Sequence, residues 1–125
     1  MMKGRCYCGA LRFEATGDPV FKGQCHCREC QYISGGAPNV VMGVPESGFS
    51  YTRGAGKPFR RKDLANPVTR EFCAECGTHL ITRPRSVPAI VVKVGRQRRG
   101  APGADKKCQV PSPDSAAGVE VAGTV

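Results

Sequence analysis

Apolar residues in this chain come in short runs that alternate with polar ones, the period-two signature of β-strands. Leu11 and Phe13 alternate with Arg12 and Glu14, so residues 3–15 are predicted to form a strand, with Gly9 allowing a bulge after Cys8. Gly17-Asp18-Pro19 then turns the chain, and Val20 and Phe21 lead into a cysteine-rich stretch. Residues 39–44, N-V-V-M-G-V, read as a short buried strand stopped by Pro45. Phe49 and Tyr51, alternating with Ser50 and Thr52, give another. A strand at residues 68–72, a return strand at 78–82 and the most apolar run, A-I-V-V-K-V at 89–94, bring the count to six. Residues 28–32 are expected to form a short loop or one helical turn, and the basic, glycine-bearing residues 54–66 a surface loop. Short strands separated by turn residues predict a mainly β domain of small antiparallel sheets.

Composition sharpens this picture in two ways. From Arg96 to Val125 the chain has no Phe, Tyr, Leu, Ile or Met. Such a segment contributes little core, so residues 1–95 are read as the domain and 96–125 as a loosely attached tail. With 125 residues, five Phe, three Tyr and no Trp, the domain has few large side chains to bury, and metal cross-links are a natural substitute. No segment approaches the roughly 20 apolar residues of a membrane span. The N-terminal M-M-K-G-R-C-Y-C-G-A has no signal-like apolar stretch, which points to the cytoplasm and to cysteines that serve as ligands rather than disulfides.

Seven of the eight cysteines fall into three tight groups: Cys6 with Cys8, then Cys25, Cys27 and Cys30, then Cys73 with Cys76. A C-x-C pair in extended backbone points both sulfurs to one face, and a C-x-x-C turn converges two thiolates on one ion. Seven ligands divide as four plus three. Cys6 and Cys8 are paired with Cys73 and Cys76, within F-C-A-E-C-G-T-H-L, to make a closed structural zinc site. Cys25, Cys27 and Cys30 then form a three-thiolate catalytic site with an open position, where a substrate thiol would be held as the nucleophilic thiolate. A fourth protein ligand, His26 or Cys108, would instead close that second site, although His26 should face away between two extended ligands.

The formal charge of +9 falls to about +6 once seven thiolates hold two zinc ions, a milder excess that suits anionic small molecules as well as phosphates. Arg28, Lys57, Arg60, Arg61 and Lys62 are candidate partners for substrate carboxylates, Ser34 is a weaker candidate contact, and His79 reads as a surface or supporting residue. Nucleic acid is disfavoured because the aromatics are phased as core positions. Two other classes stay open: a non-catalytic zinc module for a protein or nucleic-acid partner, and an iron–sulfur protein that uses the triplet with Cys108.

Three ordered blocks, G-R-C-Y-C-G-A-L-R-F at residues 4–13, C-H-C-R-E-C-Q-Y-I-S-G at 25–35 and V-T-R-E-F-C-A-E-C-G-T-H-L at 68–80, resemble the glutathione-dependent formaldehyde-activating enzyme family, which includes the centromere protein V domain. The resemblance covers residues 3 to about 95. It implies a β-tent fold pinned by zinc, a structural ion on Cys6, Cys8, Cys73 and Cys76, and a catalytic ion on Cys25, Cys27 and Cys30. The activity it implies is that of a carbon–sulfur lyase, S-(hydroxymethyl)glutathione synthase, which joins glutathione to formaldehyde or a similar small electrophile. After V-V-K-V-G the family continues with a Leu-Asp-Asp-Pro-like segment, whereas this chain gives R-Q-R-R-G-A-P-G. A divergent or frame-shifted ending from Arg96 is therefore expected, lacking part of the family's sheet and substrate wall.

Overall fold

The computed structural model describes residues 1–93, and the expected tail, with Cys108, lies outside the described residues. Within them are nine strands and one helix: β1 (Met2–Arg5), β2 (Arg12–Ala15), β3 (Phe21–Cys25), α1 (Arg28–Ser34), β4 (Asn39–Pro45), β5 (Phe49–Arg53), β6 (Lys57–Phe59), β7 (Thr69–Phe72), β8 (His79–Arg83) and β9 (Ala89–Lys93). A single 3-10 turn, Glu46–Gly48, joins β4 to β5. The expected mainly β architecture of small antiparallel sheets is what forms. One sheet has the order β1-β2-β5, the other β3-β4-β9-β8-β7-β6, and every pairing is antiparallel.

The core lies between the two sheets. Residues two apart on a strand share a face, as do cross-strand partners. On the large sheet the pairs Val44 with Ile90 and Ile81 with Val92 therefore present one apolar face. These four cluster with Met2, Leu11, Phe13 and Ala15 around the small sheet. Phe13, Ile81, Ile90 and Val92 are all at most 1% exposed, and each such burial contributes about 1.5–3 kcal/mol before entropy is counted. Phe13 stacks on Phe49 with ring centroids 5.4 Å apart, and Phe49 meets Tyr51 edge-on at 5.2 Å.

Three departures from the sequence pattern have local causes. The run at residues 3–15 is two strands, because the chain reverses between Cys6 and Leu11: Cys6 N donates to Leu11 O at 3.1 Å and Gly9 N to Cys6 O at 3.2 Å. Gly4 then pairs with Phe13. The first C-x-C accordingly sits on a hairpin turn, not on an extended strand. Strand β3 escapes the alternation rule because four of its five residues are exposed, and only backbone pairing to β4 defines it. Strand β6, within the expected loop, is a three-residue exposed strand at the sheet edge, the position where a proline such as Pro58 is tolerated.

One polar contact ties the sheets through the core. The Tyr51 hydroxyl on β5 donates to Glu71 Oε1 on β7 at 2.9 Å, and Arg83 on β8 pairs with Glu71 Oε2. Burial, followed by the Glu71 charge, pushes the Tyr51 phenol well above its ordinary value. With Glu71 only 7% exposed, its carboxylate depends on both donors. Tyr51→Phe removes one of them and is expected to cost about 1–3 kcal/mol, read as a lowered urea midpoint of the metal-loaded protein.

Candidate metal centres

Two turns build the first sulfur cluster. The β1–β2 turn brings in Cys6, 1% exposed, and the exposed Cys8, while the β7–β8 turn brings in Cys73, 1% exposed, and the half-buried Cys76. The second turn closes through Cys73 N to Thr78 O at 2.9 Å and Gly77 N to Cys73 O at 2.8 Å, with Gly77 left-handed at φ 76°. All four Sγ atoms lie within 4.8 Å of one another. Cys6 and Cys8 are 3.6 Å apart, and Cys8 and Cys73 3.8 Å. Tetrahedral sulfurs at a 2.3 Å metal distance are about 3.8 Å apart, so the group has the dimensions of a site for a zinc-sized ion.

Donors in this cluster favour the thiolate form at Cys6 and Cys76. Leu11 N donates to Cys6 Sγ at 3.3 Å. The Thr78 hydroxyl lies 3.1 Å from Cys76 Sγ and also accepts from Tyr7 N at 3.1 Å, locking the two turns together. The Thr78 hydroxyl, helped by the Cys8 N–H, lowers the Cys76 thiol to about 5.

The second cluster sits where β3 ends and α1 begins. Cys25 closes β3; Cys27, extended at φ −64° and ψ 158°, caps α1 with its Sγ accepting from Cys30 N at 3.4 Å. Cys30 is 6% exposed and accepts from Asn39 Nδ2 on β4, 3.6 Å away. The three Sγ atoms lie within 4.8 Å of one another, Cys25 and Cys27 being 3.3 Å apart. The Cys27 N–H, then the Cys30 thiol, hold Cys25 below the ordinary thiol range, whereas burial, then the neighbouring Cys25, pushes Cys30 up to about 11. Cys27 is exposed and Cys25 half-buried, so the group has one buried wall and one side open to solvent.

His26 is not part of this group, and its carbonyl accepts from Gln31 Nε2 at 2.9 Å. Among the other sequence candidates, the Arg28 guanidinium stands 5.5 Å over the Tyr32 ring, and Ser34 bonds to the carbonyls of Gln31 and Ala37. His79 tilts against Phe72, 5.6 Å between rings. Arg61 pairs with Asp63 and reaches Glu29 Oε1 at 3.4 Å, which brings the basic loop against α1, while Lys57, Arg60 and Lys62 are exposed.

Sequence reasoning missed the supports. Glu29, inside the C-x-x-C turn, binds Arg70 on β7 at 3.0 Å and so anchors α1 across the sheet. Asn39 and Thr78 left faint signals: a polar residue opening an apolar strand, and a hydroxyl two residues beyond a ligand pair. Thr78→Val is expected to weaken metal retention at the four-cysteine cluster by roughly 10- to 100-fold, measured by competition with a chromophoric chelator.

Residues 1–109 match the family model described as glutathione-dependent formaldehyde-activating enzyme. A protein of Emericella nidulans, provisionally named a glutathione-dependent formaldehyde-activating enzyme, is 35% identical over 80 residues, which cover 62% of this chain and 40% of that relative. The chain thus spans well under half of that relative's length. A crystal structure of a Rhodobacter sphaeroides protein superposes with a TM-score of 0.64 at 23% identity, over 81% of this chain and 92% of the other, and shares the fold. With the two sulfur clusters in place and the match extending over most of its length, the chain belongs to the glutathione-dependent formaldehyde-activating enzyme family.

Proposed function

We propose that this protein is a zinc-dependent carbon–sulfur lyase that joins glutathione to formaldehyde, or to a related small electrophile, at Cys25, Cys27 and Cys30. The observation that carries this reading is the contrast between the clusters: four convergent sulfurs in one, and three with an open side in the other. The first set, Cys6, Cys8, Cys73 and Cys76, is assigned a structural zinc. A second zinc on the triplet would supply a fourth position where an incoming thiol is kept as thiolate.

The chain's own residues give that position its shape. Asn39 and the backbone of Cys30 direct donors at Cys30 Sγ and Cys27 Sγ, fixing two ligands while the exposed side stays open for the substrate. Exposed Arg60 and Lys62, flanking the Arg61 that reaches Glu29, are assigned the two carboxylates of glutathione. In the forward direction the glutathione sulfur forms a bond to the formaldehyde carbon, the carbonyl π pair moves to oxygen, and that oxygen takes up a proton. The reverse breaks the same C–S bond. Holding thiolate and electrophile side by side is where the site gains rate.

No helix among the described residues is long and apolar enough to cross a membrane. We place the activity in a reducing cytoplasm, where cysteines stay reduced and available as metal ligands. Elemental analysis is expected to give two zinc ions per chain, falling to one in Cys27→Ala, with formation of S-(hydroxymethyl)glutathione followed by NMR lost in that variant. Retention of DNA or RNA in a salt-dependent manner, without any response to glutathione, would favour the non-catalytic module instead.

A further inference from the structure

Behind the triplet runs a string of charged and polar side chains on the face of the large sheet that turns away from the core. Cys25 pairs with Asn39, Val41 with Lys93, and Arg70 with Thr82, so Cys25, Asn39, Lys93, Thr82 and Arg70 share one face. Thr82 Oγ1 accepts from Lys93 Nζ at 2.9 Å and from Arg70 Nη1 at 3.3 Å. Arg70 continues to Glu29, between the ligands Cys27 and Cys30. Lys93 is 5% exposed and pairs with Val41, two residues along β4 from Asn39.

A lysine this deeply buried is costly unless negative charge lies close to it. Lys93 and Arg70 both donate to the Thr82 hydroxyl, and Arg70 also pairs with Glu29. The nearby sulfurs supply further negative charge: three thiolates around a divalent ion carry a net charge of about −1, and a fourth thiolate makes it about −2.

We propose that Lys93, held in place by Thr82, is a positioning residue that selects an anionic fourth ligand at the triplet, favouring entry of a substrate thiolate over a neutral ligand. This rests on the triplet being the thiol-binding metal site. A buried cation on the same sheet face as the triplet stabilises the doubly negative four-thiolate state more than the singly negative three-thiolate state, and its effect on entry of a neutral donor is small. Lys93 itself touches no reacting atom.

The test uses the full chain with cobalt(II) in both clusters, whose thiolate charge-transfer and d–d bands report ligand entry without turnover. Glutathione and imidazole, which enter as an anion and as a neutral ligand, are titrated into wild type, Lys93→Met and Lys93→Arg. The expected result is a roughly tenfold or larger weakening of glutathione in Lys93→Met, with imidazole unchanged within about twofold and glutathione largely restored in Lys93→Arg. Unchanged glutathione affinity, or equal weakening of both ligands, overturns the proposal while leaving the thiol site standing. A wild-type spectrum that ignores glutathione overturns both. If Lys93→Met does not fold, Thr82→Val, which frees the ammonium from its hydroxyl, is held to the same selective loss and the same contrary outcomes.

Discussion

Convergence of four sulfurs from two hairpin turns is the constraint on which the rest of this small protein depends. Cys8 and Cys73 are 65 residues apart in sequence and 3.8 Å apart in space. Bringing such distant turns together carries a loop-closure cost that grows only as about (3/2)RT ln n, and an ion held as tightly as structural zinc, at roughly 10–16 kcal/mol of apparent affinity, would exceed it comfortably. The apolar core then has a smaller task, closing one small sheet over a larger one around Phe13, Ile81, Ile90 and Val92. Tyr7 and Thr78 reinforce the join without a metal, since one hydroxyl serves both turns.

The triplet is built on a different plan. Its ligands come from the end of a strand and the first turn of a helix within six residues, so local backbone geometry brings the sulfurs together. What it takes from the distant sequence is electrostatic: Glu29 reaches Arg70, Arg70 reaches Thr82, and Thr82 holds Lys93. The two clusters thus differ in how each is assembled as well as in the number of sulfurs.

The cysteine groups were legible in the sequence because metal-ligand spacing is a strong local signal, and both clusters gather the residues their spacing suggested. Strands β4, β7, β8 and β9 were legible because burial on at least one face writes itself into alternating or continuous apolar runs. Strands β3 and β6 were not, since their residues are largely exposed and their existence depends on backbone bonds to a neighbour. The hairpin at β1 and β2 was read as one bulged strand because the Cys6-to-Leu11 reversal places cysteines where turn residues would have been expected. Glu71 and Lys93 show the remaining gap: a charged residue inside a strand reads as solvent-facing until its partner, twenty positions away for Tyr51 or eleven for Thr82, is known.

Strand β3 lies at the edge of the large sheet, bonded to β4 and ending in Cys25. An edge strand has half the backbone anchorage of an inner one, so its amides belong to the least protected part of the sheet. A ligand bound at its tip contributes its binding free energy to that strand before any other. Occupancy of the triplet is therefore written into the breathing of five backbone amides, and the loading of a sulfur site becomes visible as the quieting of a sheet margin.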